Sequence, residues 1–372
     1  MRRVVIAGLG DSGVLTAIKL AKHAEVVGIS SKPGLVSGQE LGWRLSKPGD
    51  WARHNWIPFD RFRGLDRVRT VQGTLTGVDL EAGKVFLNGP DGIAAVEPYD
   101  ALVISTGVTN GFWRKPDLQS ADDIVGGLRA AHERLAAVDS VIVIGGGAAA
   151  VSSAYNIART WPGKRVSLYF PGERALEQHH DRAWERVRSR LVEAGVELHS
   201  GHRAVIPEGF ECDDITSAPV EFSTGQPAAS ADAVLWAIGR VKPNTDWLPA
   251  EVLDEKGFVR VTPELRVPDH RGVFAIGDVA ATDPLRSSAR NRADGLLAQN
   301  ILAEFADRPL KSFRPASRRW GSILGIQSDG LEVFAPNGKP FKFPAWSFER
   351  ILMSVIVRRG IYRGVRDNQP VV

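Results

Sequence analysis

Three glycines near the start of the chain have a spacing that suits phosphate binding. Gly8, Gly10 and Gly13 follow the apolar residues 4–7 and precede a segment with apolar residues at helical spacing. In such a loop the first glycine allows a tight turn, the second lets the backbone approach a pyrophosphate, and the third lets helix and strand pack closely. The N–H groups and dipole at the start of the helix favour an anion there. The pattern predicts a dinucleotide site that includes Ser12, with an unliganded glycine-rich turn as the alternative.

A second loop of the same type follows about 137 residues later, counted from Gly8 to Gly145. The apolar residues 141–144 run into three consecutive glycines, and an alanine-rich helical segment begins at Ala148. Ala150 replaces the last glycine of the motif, which is acceptable where only close packing is needed. Two such loops in one chain favour a duplicated nucleotide-binding fold over two generic turns.

A third motif places an aspartate directly after a strand. The apolar residues 272–276 end in Gly277 and Asp278. A carboxylate in this position can hydrogen-bond the ribityl chain of a flavin, while the helix that follows faces the ring system. The alternative is an aspartate that caps this helix.

The elements that must position these residues are predicted by hydrophobic periodicity. Strands are expected at 25–30, 99–106, 165–170, 196–198, 231–238, 272–276, 320–334 and 339–343, a β-meander at 68–87, and helices at 14–20, 122–138, 148–160, 179–194, around 296–302 and at 348–357. Alternation of strands and helices predicts the α/β class, with two Rossmann-like dinucleotide-binding domains and a small C-terminal cap.

The amino-acid composition excludes several classes of protein and site. The chain has 372 residues, is 43% hydrophobic and 24% charged, and carries a net charge of +4 with a pI near 9.2. This describes a soluble globular protein, and no apolar run is long enough to cross a membrane. Cys212 is the single cysteine, which excludes an internal disulfide or a Cys-x-x-Cys pair and fits the cytoplasm. Zinc-ligand spacings, a Walker loop and nucleic-acid-binding modules are absent from the sequence, so neither a metal site nor a nucleic-acid partner is expected.

The ordered set of motifs resembles a known superfamily. The first and second glycine loops and residues 105–107, 237–240 and 272–278 occur in the order found in the pyridine nucleotide–disulfide oxidoreductases, over roughly residues 3–305. Within it the chain is most similar to the type II NADH dehydrogenase and apoptosis-inducing-factor-like group, especially its ferroptosis-suppressor-like members. The missing cysteine pair and residues 55–59 and 308–310 carry this finer resemblance.

The resemblance implies a domain plan and a set of ligand contacts. It implies FAD bound by residues 1–115 and 255–310, NAD(P)H bound by residues 116–254, and a cap formed by residues 311–372. Carried over by position, the FAD contacts are Gly8, Gly10, Ser12, Gly13, Ser30, Thr106, Gly107, Gly277 and Asp278, and the NAD(P)H contacts are Gly145, Gly147, Ala148, Arg174 and Gly239.

Two positions depart from the family pattern at the riboses. Ser30 stands where an acid usually binds the adenosine ribose of FAD, although its hydroxyl can still form a hydrogen bond. Phe170 stands where an acid would select NADH, so the 2′-phosphate of NADPH is not repelled and Arg174 could attract it.

Further differences concern the reacting centre. Ser152 occupies the position at which the family often has a glutamate near the nicotinamide, and hydride transfer needs orientation more than a proton. Arg286 and Arg290 follow the Gly-Asp motif and are candidates to stabilise negative charge on the reduced flavin or on a quinone oxygen. A solvated helix face is the alternative interpretation of both arginines.

The leading hypothesis is an FAD-dependent oxidoreductase that oxidises NAD(P)H and reduces a quinone-like acceptor. A reductase for a ferredoxin-type protein and a nucleotide-binding flavoprotein that acts as a sensor are the alternatives. Residues 345–366 combine apolar and arginine residues, which predicts peripheral contact with the inner face of a membrane; packing on the flavin domain or a homodimer contact would explain them equally.

Overall fold

The parallel strands of this protein follow from its continuous apolar runs, since strands buried on both faces lack alternation. The computed structural model describes residues 1–38, 40–282, 293–315 and 318–366. Its strands are β1 (Arg3–Ala7), β2 (Glu25–Ser30), β3 (Gly34–Val36), β4 (Trp56–Pro58), β5 (Val68–Gln72), β6 (Thr74–Asp79), β7 (Lys84–Asn88), β8 (Ala94–Pro98), β9 (Ala101–Ile104), β10 (Val108–Thr109), β11 (Ser140–Ile144), β12 (Arg165–Tyr169), β13 (Val196–His199), β14 (Ile215–Thr216), β15 (Ala233–Trp236), β16 (Lys242–Pro243), β17 (Val273–Ala275), β18 (Gly321–Gln327), β19 (Gly330–Phe334) and β20 (Pro340–Pro344).

The helices alternate with these strands. They are α1 (Asp11–Leu20), α2 (Leu41–Ser46), α3 (Pro48–Asn55), α4 (Ala121–Ala136), α5 (Ala148–Thr160), α6 (Asp181–Glu193), α7 (Ala293–Phe305) and α8 (Ala345–Ser347), with short 3-10 turns at Phe59–Arg61, Arg63–Leu65 and Ala250–Val252. The last turn of α8 continues into a wide helix of the π type at Phe348–Ile361, called here the C-terminal helix. Ser120 begins α4 with a reciprocal capping box to Asp123, which satisfies N–H groups at that helix start. None of the described helices is both long and apolar enough to cross a membrane.

Two five-stranded sheets form the centres of the fold. The first has the order β17-β9-β1-β2-β5 and is parallel throughout, and the second has the order β13-β12-β11-β15-β14, with β14 antiparallel. In each sheet a glycine loop follows a central strand, β1 or β11, and leads into a helix. This is the strand–loop–helix arrangement of dinucleotide-binding folds. The domain boundaries expected from the sequence stay a prediction.

The segment at 68–87 differs from the predicted meander. Its first strand, β5, pairs in parallel with β2 and extends the first sheet, with Val26 opposite Val68. The antiparallel meander is formed instead by β6, β7 and β8. Gly73 lies between the two parts and donates its N–H to the carbonyl of Ser30 at 2.9 Å, so the ladder continues to the point where the chain turns away.

A C-terminal sheet of β18, β19 and β20 packs on the second nucleotide-binding unit. Asn156 of α5 donates a hydrogen bond to the Leu324 carbonyl at 2.9 Å, and Arg186 of α6 lies 3.1 Å from the buried carboxylate of Glu332 on β19. Helix α2 from the N-terminal part packs on the same α5. The C-terminal helix, the C-terminal sheet and α2–α3 therefore meet beside the second glycine loop.

Candidate functional site

A cavity of about 900 Å³ opens at the carboxyl ends of the first sheet. Most of the residues that the family resemblance implies for FAD line this first cavity. Its lining includes Gly8, Gly10, Ser12, Ser30, Thr106, Gly107, Gly277 and Asp278. Parallel strands end at one edge of a sheet, so loops that are far apart in sequence converge there.

The three glycines of the first loop serve different steric needs. A Cβ on Gly13 would lie 1.9 Å from the Gly8 carbonyl oxygen, so only glycine permits this contact between helix and strand. Gly8 has a φ of +104° and lies against Ser105, where a Cβ would come within 2.5 Å of the backbone oxygen. A Cβ on Gly10, in contrast, would meet nothing within 4 Å. Gly10 thus leaves open space beside its backbone at the cavity wall next to the start of α1, which fits a pyrophosphate.

Ser30 lies at the end of β2 as expected and lines the first cavity, but its hydroxyl already accepts a hydrogen bond from the Lys32 N–H at 3.1 Å. The Lys32 ammonium donates to the Lys115 carbonyl at 2.7 Å. Burial lowers the pKa of Lys32 to about 8, although Asp117 opposes this shift. Sequence reasoning missed this lysine because it lies in an irregular segment directly beyond the strand.

Asp278 lies in the first cavity and forms an ion pair with Arg114 at 2.7 Å. The aspartate side chain is 11% exposed and that of Arg114 is 32% exposed. Both residues line the first cavity and the larger cavity next to it. The ribityl contact expected of Asp278 stays a prediction, and a ligand that reaches this carboxylate meets an arginine beside it. Arg114 has no sequence signal, since it follows no strand and belongs to no motif.

The second cavity has a volume of about 1410 Å³ and extends from the second glycine loop to the C-terminal helix. Gly147, Ala148, Ser152, Arg174 and Gly239 line it, together with Gly146. Gly145 allows close packing of the loop, because its φ is +137° and a Cβ there would lie 2.2 Å from the Ala237 carbonyl oxygen. Gly147 faces open space, as Gly10 does in the first loop.

Two arginines and a histidine surround one end of this cavity. Arg174 donates to the carbonyls of Leu176 and Glu177 at 3.2 Å and pairs with Asp181 at 3.0 Å. His179 is buried, and burial together with the charges of Arg319 and Arg174 lowers its pKa to about 4. Because His179 is neutral at pH 7, the positive charge of this region comes from Arg174 and Arg319, while Asp181 pairs with Arg174 and Glu177 also lines the cavity.

Ser152 is 2% exposed and lies where α2 packs on α5. Its hydroxyl is 3.4 Å from the amide nitrogen of Asn156. The structure thus places Ser152 in the wall of the second cavity, while its catalytic role stays a prediction. Arg286 and Arg290 lie outside the described residues.

Another part of the lining of the second cavity is apolar. The C-terminal helix contributes Leu352, Met353, Ile356, Val357 and Ile361, and the C-terminal sheet contributes Ile323, Ile326, Leu331, Val333 and Phe343. Among the described residues no group of three histidine, cysteine or acidic side chains could hold a metal ion.

Comparisons with known proteins agree with this geometry. The chain is 25% identical to the oxidoreductase ptaL of Pestalotiopsis fici over 381 residues, which cover 96% of this chain and 97% of the relative. It is 24% identical to ferroptosis suppressor protein 1 of Homo sapiens over 341 residues, which cover 88% and 87%. The water-forming NADH oxidase of Lactobacillus brevis, solved with NADH, shares the fold with a TM-score of 0.65 at 17% identity, covering 90% of this chain and 75% of that one.

Residues 2–295 match the family described as pyridine nucleotide-disulphide oxidoreductase. This match confirms the resemblance, the α/β fold and the oxidoreductase class expected from the ordered motifs. The two glycine loops, each with one glycine open to a cavity, fit the two nucleotides that such enzymes use. The chain therefore belongs to the pyridine nucleotide-disulphide oxidoreductases, FAD-dependent enzymes that use NADH or NADPH.

Proposed function

We propose that this oxidoreductase passes electrons from NAD(P)H, by way of FAD, to a quinone-like acceptor. One observation carries the proposal: a single cavity joins the second glycine loop to an apolar wall on the C-terminal helix. A nicotinamide and a flat apolar acceptor can thus occupy adjoining parts of one chamber. FAD, when bound, supplies the two-electron chemistry that links donor and acceptor.

The residues of the chain would bind and orient the two nucleotides and exclude water from the acceptor. The open space beside Gly10 and Gly147 would let the two pyrophosphates approach the starts of α1 and α5. Arg114 pairs with Asp278 in the lining that the two cavities share, and its guanidinium would become available to one ligand when another takes the Asp278 carboxylate. The apolar wall keeps water from the acceptor, which strengthens electrostatic interactions inside the chamber.

The purified protein tests this proposal directly. It should be yellow, NAD(P)H should bleach its flavin without oxygen, and a short-chain quinone should restore the colour. Leu352→Ser, in the cavity wall, should raise the KM for the quinone, while Val355→Ser on the exposed side of the same helix should not. Turnover with a ferredoxin-type protein but not with quinones would contradict the proposed acceptor, and nucleotide binding without any turnover would contradict catalysis.

We further propose that NADPH is the preferred donor. Phe170 directly follows β12, at the position that would carry an acid, and it is an apolar residue that is 2% exposed. The acid that would select NADH is therefore missing at that position. Arg174 and Arg319 both line the adjacent end of the second cavity. Guanidinium groups are well suited to phosphate because they offer planar pairs of donors.

Contact with an anionic membrane surface is proposed for the outer face of residues 345–366. Trp346 is 67% exposed, Val355 is 49% exposed and Ile351 is 41% exposed. Arg350 and Arg359 lie exposed on the same helix, so apolar and cationic groups share this face. Such a combination favours anionic lipid surfaces.

Vesicle sedimentation tests the membrane contact. The protein should sediment with vesicles that contain anionic lipid and much less with neutral ones, and Trp346→Ser with Ile351→Ser should abolish the difference. A homodimer in solution that the same substitutions dissociate, without vesicle binding, would overturn the proposal.

A further inference from the structure

An ion pair links α1 and α7 at the wall of the second cavity. Lys19, in the last turn of α1, lines this cavity, and its side chain is 35% exposed. Its ammonium nitrogen lies 3.4 Å from a carboxylate oxygen of Asp294 on α7, whose side chain is 12% exposed. Lys19 is the only lysine among the described residues of that lining. The pair therefore brings a single ammonium group to the cavity wall.

The position of Lys19 follows from the face of α1 that it shares with Leu15. Leu15 lies one turn earlier and lines both cavities, as Asp294 does. Lys19, in contrast, lines the second cavity alone. One turn advances a helix by about 6 Å, so Lys19 lies about one turn from the shared lining. It is thus near the place where the contents of the two cavities meet, on the side of the second cavity.

The helices that carry this ion pair also provide part of the apolar lining. Leu15 of α1 and Met353 and Val357 of the C-terminal helix belong to one buried cluster, together with Leu297 of α7. Leu15, Met353 and Val357 also line the second cavity. The ammonium and the apolar wall proposed for the acceptor are therefore built from the same three helices.

The ammonium has donors and space for a ligand. Its distance of 3.4 Å from Asp294 is longer than the roughly 2.7–2.9 Å of a charge-assisted hydrogen bond. An ammonium has three N–H donors, and this contact engages at most one of them. A Cβ on Gly295 would lie 3.7 Å from the Lys19 Nζ, so the glycine leaves uncovered a side that another residue would shield. Asp294 thus positions the ammonium without occupying all its donors.

The proposed reaction consumes a proton that the nucleotide does not supply. NAD(P)H gives up a hydride, which amounts to two electrons and one proton, whereas a quinone needs two electrons and two protons to become a hydroquinone. The balance is NAD(P)H + H⁺ + quinone → NAD(P)⁺ + hydroquinone. The second proton comes from solvent and must reach the acceptor oxygen beside an apolar wall.

We propose that Lys19 donates this proton from Nζ to an oxygen of the acceptor, and that Asp294 is a positioning residue that holds the ammonium in place. The Nζ–H bond breaks as the acceptor O–H bond forms, which leaves a neutral amine. Water at the exposed side of Lys19 then returns a proton from solvent to Nζ. Before the transfer, the ammonium stabilises the negative charge that develops on the acceptor oxygen. The proposal rests on the quinone reductase function proposed above.

Lys19→Arg separates proton donation from positive charge. Arginine keeps the charge and the N–H donors, but its guanidinium does not give up a proton. Anaerobic reduction of the flavin by NAD(P)H should be unchanged, while kcat for the quinone should fall about 100-fold, the usual contribution of a positioned general acid. Ferricyanide takes up electrons without a proton, so its reduction should stay at the wild-type rate.

Two further variants complete the kinetic test. Asp294→Asn should slow quinone reduction by a smaller factor than Lys19→Arg and leave the ferricyanide rate unchanged, because the ammonium loses its carboxylate partner. Lys22→Arg changes an exposed lysine just beyond the same helix, outside both cavity linings, and should affect neither acceptor. A wild-type quinone rate in Lys19→Arg, or equal losses with both acceptors, would overturn the proton transfer.

Binding of a charged analogue provides a readout that needs no turnover. A phenol analogue of the acceptor that is anionic at the assay pH should bind wild-type protein about 10-fold more tightly than Lys19→Met, because the variant lacks the charge-assisted hydrogen bond. The methyl ether of the analogue carries no charge and should bind both proteins equally, with quenching of flavin fluorescence as the measurement.

Equal affinity of the anion for both proteins, or an equal loss for the ether, would overturn the contact with Lys19. Wild-type protein that reduces ferricyanide but never a quinone would instead contradict the proposed function.

Discussion

At the scale of single residues, the buried side chain of His179 makes the free energy of unfolding depend on pH. His179 has a pKa near 4 in the fold against an ordinary value of 6.5. Between these values the unfolded chain binds more protons, so stability rises with pH and falls on acidification. Urea unfolding should show about 2 kcal/mol less stability at pH 5 than at pH 7.

His179→Gln should remove most of that slope. The carboxylates with lowered pKa, such as Asp100 and Asp232, lose their contribution only at lower pH, below about 4. An equal pH slope in wild type and His179→Gln would show that another group is responsible.

The cationic end of the second cavity leads to a prediction about nucleotide choice. Arg174→Ala should raise the KM for NADPH about 10- to 100-fold, because a charge-assisted hydrogen bond contributes about 1.5–3 kcal/mol. The KM for NADH should change little, since NADH has no 2′-phosphate. Steady-state kinetics with both nucleotides measures this, with Arg182→Ala on the exposed face of α6 as the control. Equal losses for both nucleotides would contradict the assignment.

Residues in local motifs could be located from sequence, whereas residues brought in by loops could not. Gly10 and Gly147 lie at cavity walls because a strand, a turn and a helix of fixed length place them there. Arg114 lies in a segment without periodicity and His54 in a short helix that the sequence pattern does not predict, so the positions of both depend on long-range packing. The pairing of Arg114 with Asp278, 164 residues away, is of this kind.

At the scale of elements, the close approach of α2 to α5 depends on one glycine. A Cβ on Gly42 would lie 2.2 Å from the backbone oxygen of Ser152, so neither side can yield without moving a helix. Gly42→Ala should therefore destabilise the protein by about 1–3 kcal/mol, as overpacking does. Denaturant unfolding measures the loss.

Gly49 in α3 provides the matched control. A Cβ there would meet nothing within 4 Å, so Gly49→Ala should be neutral or stabilise the helix by up to about 1 kcal/mol. Helix propensity alone would favour alanine at both positions, so similar destabilisation by both substitutions would contradict the role assigned to the α2–α5 contact.

Strand and helix positions were predicted best where the apolar pattern was strong. Residues 25–30 form β2 and residues 148–160 form α5 as expected. The pattern at 68–87 predicts the strands but assigns β5 to the meander instead of the first sheet, because alternation and turn glycines do not reveal which sheet a strand joins. The wide turns of the C-terminal helix had no sequence signal, since the apolar pattern there also suits an ordinary helix.

At the scale of the whole molecule, Asn244 ties the two nucleotide-binding units together. Its side chain accepts a hydrogen bond from Thr109 at 2.7 Å and donates one to the Thr106 carbonyl at 3.0 Å, beside the short β10–β16 ladder. Asn244→Ala should lower stability by about 1–2 kcal/mol and speed proteolysis of this connection. Lys242→Ala, at an exposed neighbour, should do neither, and identical digestion of both variants would count against the role of Asn244.

The ion pair between Arg114 and Asp278 has a consequence for how the two nucleotides influence each other. Arg114 and Asp278 both line both cavities. A ligand in one cavity that forms a hydrogen bond with Asp278 would weaken the ion pair, and Arg114 could then contact the ligand in the other cavity. The affinities are then linked, and linkage is reciprocal: whatever factor one nucleotide adds to the binding of the other, it receives in return. The order in which the nucleotides bind does not change the total free energy, and if Asp278 contacts one nucleotide, we expect the shared arginine to couple the affinities of the two cavities.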